Sequence, residues 1–168
     1  MNETQIRNAS DHLINQYDTR DPFELADCLG IEIILSDALK KVKGFYTIYD
    51  NIRFITISNY LNHQIQCLVC AHEIGHDQLH SNLLQGAFAE FSLYQTQNRA
   101  EYEANLFAAN ILISDEDFFN LAYDGYTRSQ IAAFLKTDPN IVSFKAQLLK
   151  STGYPSINEQ EILSTFLQ

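Results

Sequence analysis

The segment His72-Glu73-Ile74-Gly75-His76 places two imidazoles four residues apart, with a carboxylate directly after the first. On a helix, positions i and i+4 project from one face, so both rings can reach one ion. Glu73 lies about 100° round from His72, within reach of a water held by that ion. The chemistry of such a set is metal-assisted hydrolysis, with two nitrogen ligands for zinc and one general base. Three defined positions in five also arise by chance, so the surroundings must decide. With His72 at zero and about 100° per residue, Leu61, Ile65, Leu68, Val69, His76, Leu79 and Leu83 all fall within about 60° of it. The histidines therefore interrupt an inward-facing apolar stripe. Buried polar groups left without partners cost roughly 1–3 kcal/mol each, and a shared cation satisfies one nitrogen of each ring.

Catalytic zinc takes three protein ligands and keeps a fourth position for water, so one more ligand must come from elsewhere. The candidates are His80, Glu90, Glu101 and Glu103. His80 shares the helix face of His72 and His76. Three successive turns of a rigid helix do not wrap one small ion, which leaves His80 behind the ligands, in the substrate groove, or as a solvated surface residue. The stretch Arg99–Leu112 is a second apolar-periodic helix with carboxylates embedded in it. Relative to Glu103, the residues Ala100, Phe107 and Ile111 lie within about 80°, whereas Glu101 is about 160° away. On this reading Glu103 faces inward and is the ligand, and Glu101 faces out. A buried carboxylate must be paired or must coordinate a cation.

The elements that hold these groups can be read from periodicity and punctuation. Ile6, Ala9, Leu13, Ile14 and Tyr17 predict a helix over 3–18, and Asp21-Pro22 opens a short second helix that Gly30 stops. Ile31–Leu35, Gly44–Tyr49 and Ile52–Ile57 read as strands, the last two joined at Asp50-Asn51 as a hairpin. From about Tyr60 the period changes to 3.6, predicting helices near 60–82, 98–112, 115–123, 127–136 and 139–150, then a loose tail. The expected fold class is α+β, a small β-sheet packed on a helical core with a C-terminal helix-turn-helix-like segment. Residues 1–125 form the core and 126–168 a helical segment packed on it. The 168 residues carry 11 Lys+Arg against 21 Asp+Glu, a formal charge of −10, which opposes binding by phosphate neutralisation. The absence of a basic-apolar leader or a bilayer-length apolar run predicts a cytoplasmic protein without a membrane. Cys28, Cys67 and Cys70 are too few for a disulfide scaffold, and Cys67 and Cys70 project away from His72 toward a second packing surface. Residues 126–150 carry Arg128, Lys136, Lys145 and Lys150 against Asp138. This local excess supports an alternative function, a DNA-binding or protein-binding transcriptional regulator with a non-catalytic metal site. Thr137-Asp138-Pro139 stands where such a motif usually places a turn glycine.

Taken together, several segments resemble the ImmA/IrrE family of bacterial and phage-borne zinc metallopeptidases, related to the gluzincins. They are Asp21-Pro22-Phe23 with Leu29-Gly30-Ile31, His72-Glu73-Ile74-Gly75-His76 with Leu79-His80, and Glu103-Ala104-Asn105 leading into Phe107-Ala108-Ala109. The resemblance implies a zincin-like core, one catalytic Zn2+ held by His72, His76 and Glu103, and Glu73 as base. It also implies a protein substrate, a helix-turn-helix repressor whose cleavage derepresses genes. Ser114 departs from the family, which commonly has Pro there. Five tyrosines, Tyr46, Tyr49, Tyr60, Tyr94 and Tyr102, are candidates to stabilise the oxyanion, and an exposed strand of the 44–57 hairpin is the expected seat of an extended substrate.

Overall fold

A computed structural model of the chain describes residues 1–80 and 98–153. Leu83, Glu90, Tyr94 and the expected tail from residue 154 onward lie outside the described residues. In chain order the elements are α1 (Glu3–Tyr17), α2 (Pro22–Cys28), β1 (Ile31–Ser36), β2 (Gly44–Tyr49), β3 (Ile52–Ser58), α3 (His63–His80), α4 (Arg99–Leu112), α5 (Asp115–Tyr123), α6 (Arg128–Phe134) and α7 (Pro139–Ser151). The α+β class stands. No described helix is long and apolar enough to cross a membrane.

Local chemistry accounts for the boundaries. Asn2 and Gln5 form a reciprocal capping box at the start of α1. The Asp21 carboxylate accepts from the Phe23 and Glu24 amides, and Pro22 fills the first position of α2, where no amide is needed. The Asn62 side chain accepts from the Ile65 amide, so α3 starts a few residues later than the periodicity alone suggests. Ser114, the residue that departs from the family pattern, caps α5 by accepting from the Asp117 amide. Asp50 and Asn51 both adopt positive φ, 51° and 61°, the geometry of a two-residue turn whose twist suits a hairpin. Between α6 and α7, Lys136 takes a left-handed φ of 54° and Asp138 caps α7, which supplies the turn that a glycine would otherwise make.

The sheet order is β1-β3-β2, with β1 parallel and β2 antiparallel to β3. The hairpin was legible in the sequence, but the insertion of β3 between β2 and the earlier β1 was not. Helix α3 lies on the sheet, and α4 runs through the middle of the molecule against α1, α3 and α7. Two glycines set the closest approaches. A Cβ on Gly44 would collide with Val69 Cγ1 and stand 2.8 Å from the Thr56 carbonyl oxygen, so β2 is drawn hard against α3. A Cβ on Gly75 would stand 3.1 Å from Ala104 Cα, so α3 and α4 touch backbone to backbone inside the His72–His76 turn.

Candidate metal centre

Helix α3 presents His72 and His76 fully buried on its α4-facing side, with their Nε2 atoms 3.1 Å apart. The carboxylate of Glu101, in the first turn of α4 and 1% exposed, faces both. Its Oε2 lies 3.3 Å from His72 Nε2 and its Oε1 3.2 Å from His76 Nε2. Neither Glu101 oxygen has a hydrogen bond of acceptable geometry. Three lone-pair donors thus converge in the buried interior on a triangle with sides of 3.1–3.3 Å. Ligands about 2.0–2.1 Å from a tetrahedral ion stand about 3.3 Å apart, so the set fits one small divalent cation. Among the described residues it is the one group of three or more His, Cys, Asp or Glu side chains whose ligand atoms converge this way.

The structure brings Glu101, rather than the expected Glu103, beside the imidazole pair. Glu103 is also buried, but it points away from the imidazole pair. Its Oε2 accepts from His80 Nε2 at 2.9 Å, and its Oε1 accepts from Arg99 Nε at 2.9 Å and from the Met1 amino group. Apolar periodicity predicts a single buried stripe on α4 with Glu101 facing out, and the helix is not built that way. Helix α4 is enclosed on most of its circumference, with Glu101, Glu103, Ala104, Asn105, Leu106, Phe107, Ala108, Ala109, Asn110 and Ile111 all buried. Both acids are therefore interior, and the face toward α3 is set by close packing. Asn105 and Ala108 lie within about 40° of Glu101, with Ala104 about 60° away, and these small or short side chains let α3 approach. The repeat Glu101-x-x-x-Asn105 was the available signal.

The surroundings complete the site. Asn105 Oδ1 lies 3.1 Å from His72 Nδ1, and His80 Nδ1 lies 3.3 Å from His76 Nδ1. His80 therefore stands behind a ligand candidate rather than on the solvated surface. Asp77, beside His76, accepts from the Tyr46 hydroxyl at 2.6 Å and from Arg53 Nη1 at 2.9 Å, which ties α3 to β2 and β3. Arg53 Nη2 donates in turn to the Leu29 carbonyl. Burial raises the Glu101 carboxyl, but the two facing imidazoles outweigh it and hold the group at about 2, so it stays ionised. Glu73, 2% exposed, is pushed up to about 7, first by burial and further by the Glu101 charge. His76 and the nearby Tyr46 backbone amide act the other way. Its Oε2 has no hydrogen-bond partner. A carboxyl that titrates near neutrality beside a metal-ligand set can both take and return a proton.

Two of the tyrosine candidates are otherwise engaged. Tyr46 spends its hydroxyl on Asp77. Tyr102 is half-buried and packs edge-on to Phe144, with the Glu3 carboxylate near enough to raise its hydroxyl further after burial. Tyr49 and Tyr60 are exposed. Cys70 is buried with its thiol on the Pro22 carbonyl, and Cys67 lies 3.4 Å from His63 Nδ1, both away from the imidazole pair as expected. Of the cations that suggested DNA binding, Lys145 is fully buried on Asn110 and Asp115, and Arg128 donates to Ser143.

Comparison with known proteins gives three findings. The family model of the IrrE N-terminal-like domain, a peptidase family, matches residues 26–146. The chain is 35% identical over 112 residues to a Bacillus phage phi105 protein named uncharacterized immunity region protein 2, covering 67% of this chain and 70% of that one. It is 27% identical over 151 residues to metallopeptidase ImmA of Bacillus subtilis (strain 168), covering 87% and 86%.

Proposed function

This chain belongs to the ImmA/IrrE family of metallopeptidases, and from that premise we propose that it is a zinc-dependent endopeptidase acting on a cytoplasmic protein, with His72, His76 and Glu101 as metal ligands and Glu73 as general base. The observation that carries this reading is the convergence of two buried Nε2 atoms and an otherwise unbonded carboxylate, with a second carboxyl near neutral pKa alongside. A zinc ion held there supplies Lewis acidity, polarising the scissile carbonyl and making water a nucleophile near neutral pH. Glu73 takes the proton that the attacking water gives up and passes it to the leaving amine. Asn105 orients the His72 ring, and Asp77 braces the sheet against the helix that carries the motif.

The substrate strand is best placed on β2. That strand lies at an edge of the described sheet, and its Tyr46 backbone amide is close enough to Glu73 to favour the ionised carboxylate. An extended peptide adding to this edge lays its backbone beside the base. For the substrate we propose a helix-turn-helix repressor. One relative's name places that relative in a phage immunity region, and the family resemblance implies such a target. The decisive experiment is co-expression of the wild type, or of Glu73→Gln, with the repressor encoded beside it, with metal content measured in parallel. A discrete repressor fragment with the wild type only, at equal metal content, supports the reading. Equal cleavage by both removes Glu73 from its role.

A further inference from the structure

We propose that His80 is a positioning residue that links the Glu103 carboxylate to His76, setting the tautomer and donor strength of that ring toward the metal. The inference rests on the ligand set proposed above and follows from hydrogen bookkeeping along one buried line of groups. His76 Nε2 faces His72 and Glu101, so as a ligand it must offer a lone pair there, and a neutral ring then carries its hydrogen on Nδ1. That Nδ1 lies 3.3 Å from His80 Nδ1, which must accept. The His80 hydrogen is thereby placed on Nε2, the atom 2.9 Å from Glu103 Oε2, an acceptor. Arg99 and the Met1 amino group hold the other Glu103 oxygen. Every donor in the line meets an acceptor, and both His80 and Glu103 are at least nine-tenths buried.

The two candidate ligand rings are supported differently. His72 leans on the neutral amide of Asn105, whereas His76 leans through a second ring on a carboxylate. Negative charge at the far end of such a line makes the near nitrogen a stronger donor, and losing partners of this kind costs about 10–100-fold in metal affinity. Glu103 thus gains a purpose near the metal without touching it.

The test uses the full chain as wild type, His80→Leu, His80→Gln, Glu103→Gln and Glu101→Gln, each titrated with Zn2+ against a chromophoric chelator. Imidazole 15N spectra of the zinc-loaded wild type are recorded alongside. His80→Leu and Glu103→Gln are expected to bind one zinc about 10–100-fold more weakly. His80→Gln, whose amide oxygen can accept from His76 while its NH2 donates to Glu103, recovers most of that loss. In the spectra, His80 carries its hydrogen on Nε2. The relay is overturned if His80→Leu binds zinc as the wild type does, or if His80 holds its hydrogen on Nδ1. Should His80→Leu not fold, Glu103→Gln and the wild-type spectrum decide. The ligand reading itself falls, and the relay with it, if wild type takes up no zinc or if Glu103→Gln loses the ion outright while Glu101→Gln retains it.

Discussion

Glu73 combines two properties that ordinarily exclude each other, burial and an unpartnered oxygen. A buried carboxyl resists ionisation, so the native protein holds this proton up to about pH 7, whereas the unfolded chain releases it near 4.5. Below 4.5 both states are protonated and the group contributes no pH dependence. As pH rises toward 7 the unfolded chain ionises first and stability falls, and above that the loss levels off. Metal-free Glu73→Gln should therefore match wild type near pH 4 and exceed it by about 2–3 kcal/mol at pH 8 in urea unfolding. A difference that stays constant with pH would show that the carboxyl ionises normally. With zinc restored, the same variant should lose at least about 100-fold in cleavage rate with its metal content preserved, because it removes the proton acceptor and no ligand. If Glu101 completes the ligand set as proposed, Glu101→Ala should abolish stoichiometric zinc uptake, as read by metal analysis after desalting.

Helices α3 and α4 make the site together, and the contact that sets their spacing is Gly75 on Ala104. A methyl group there meets backbone at 3.1–3.2 Å, so the helices must part by a few tenths of an ångström. Gly75→Ala should destabilise the fold by about 1–3 kcal/mol. It should also weaken zinc binding, because Glu101 and the two imidazoles sit on opposite sides of that contact. Unchanged affinity in a chelator competition would show that α4 positions Glu101 independently of α3. Strand β2 carries its own expectation. A bound substrate analogue should slow amide exchange within residues 44–49 more than within β1, and no change there would place the substrate elsewhere.

Across the whole molecule, a buried polar network joins the C-terminal helices to the centre. Lys145 on α7 donates to Asn110 of α4 at 2.7 Å and to Asp115 of α5, while Asn110 donates to Ser10 and Asp11 of α1. Burial pulls the ammonium down to about 8, but Asp115 keeps it paired. Lys145→Ala would leave Asn110 and Asp115 short of a donor and should cost about 3–5 kcal/mol of stability. Zinc stoichiometry of the folded fraction should be unaltered, since no member of the network touches the imidazole pair. Much of this molecule was legible beforehand. Capping residues, the Asp50-Asn51 turn and apolar spacing set the elements through local interactions, and i,i+4 spacing brought His72 and His76 together within one helix. The place of β3 between β1 and β2 depends on contacts between distant segments. So does the placing of Glu101, rather than Glu103, beside the imidazoles, because in a helix buried nearly all round, apolar periodicity no longer marks one inner face. Which acid meets the imidazoles is then settled by where the partner helix can come closest, and that is a property of the packed molecule.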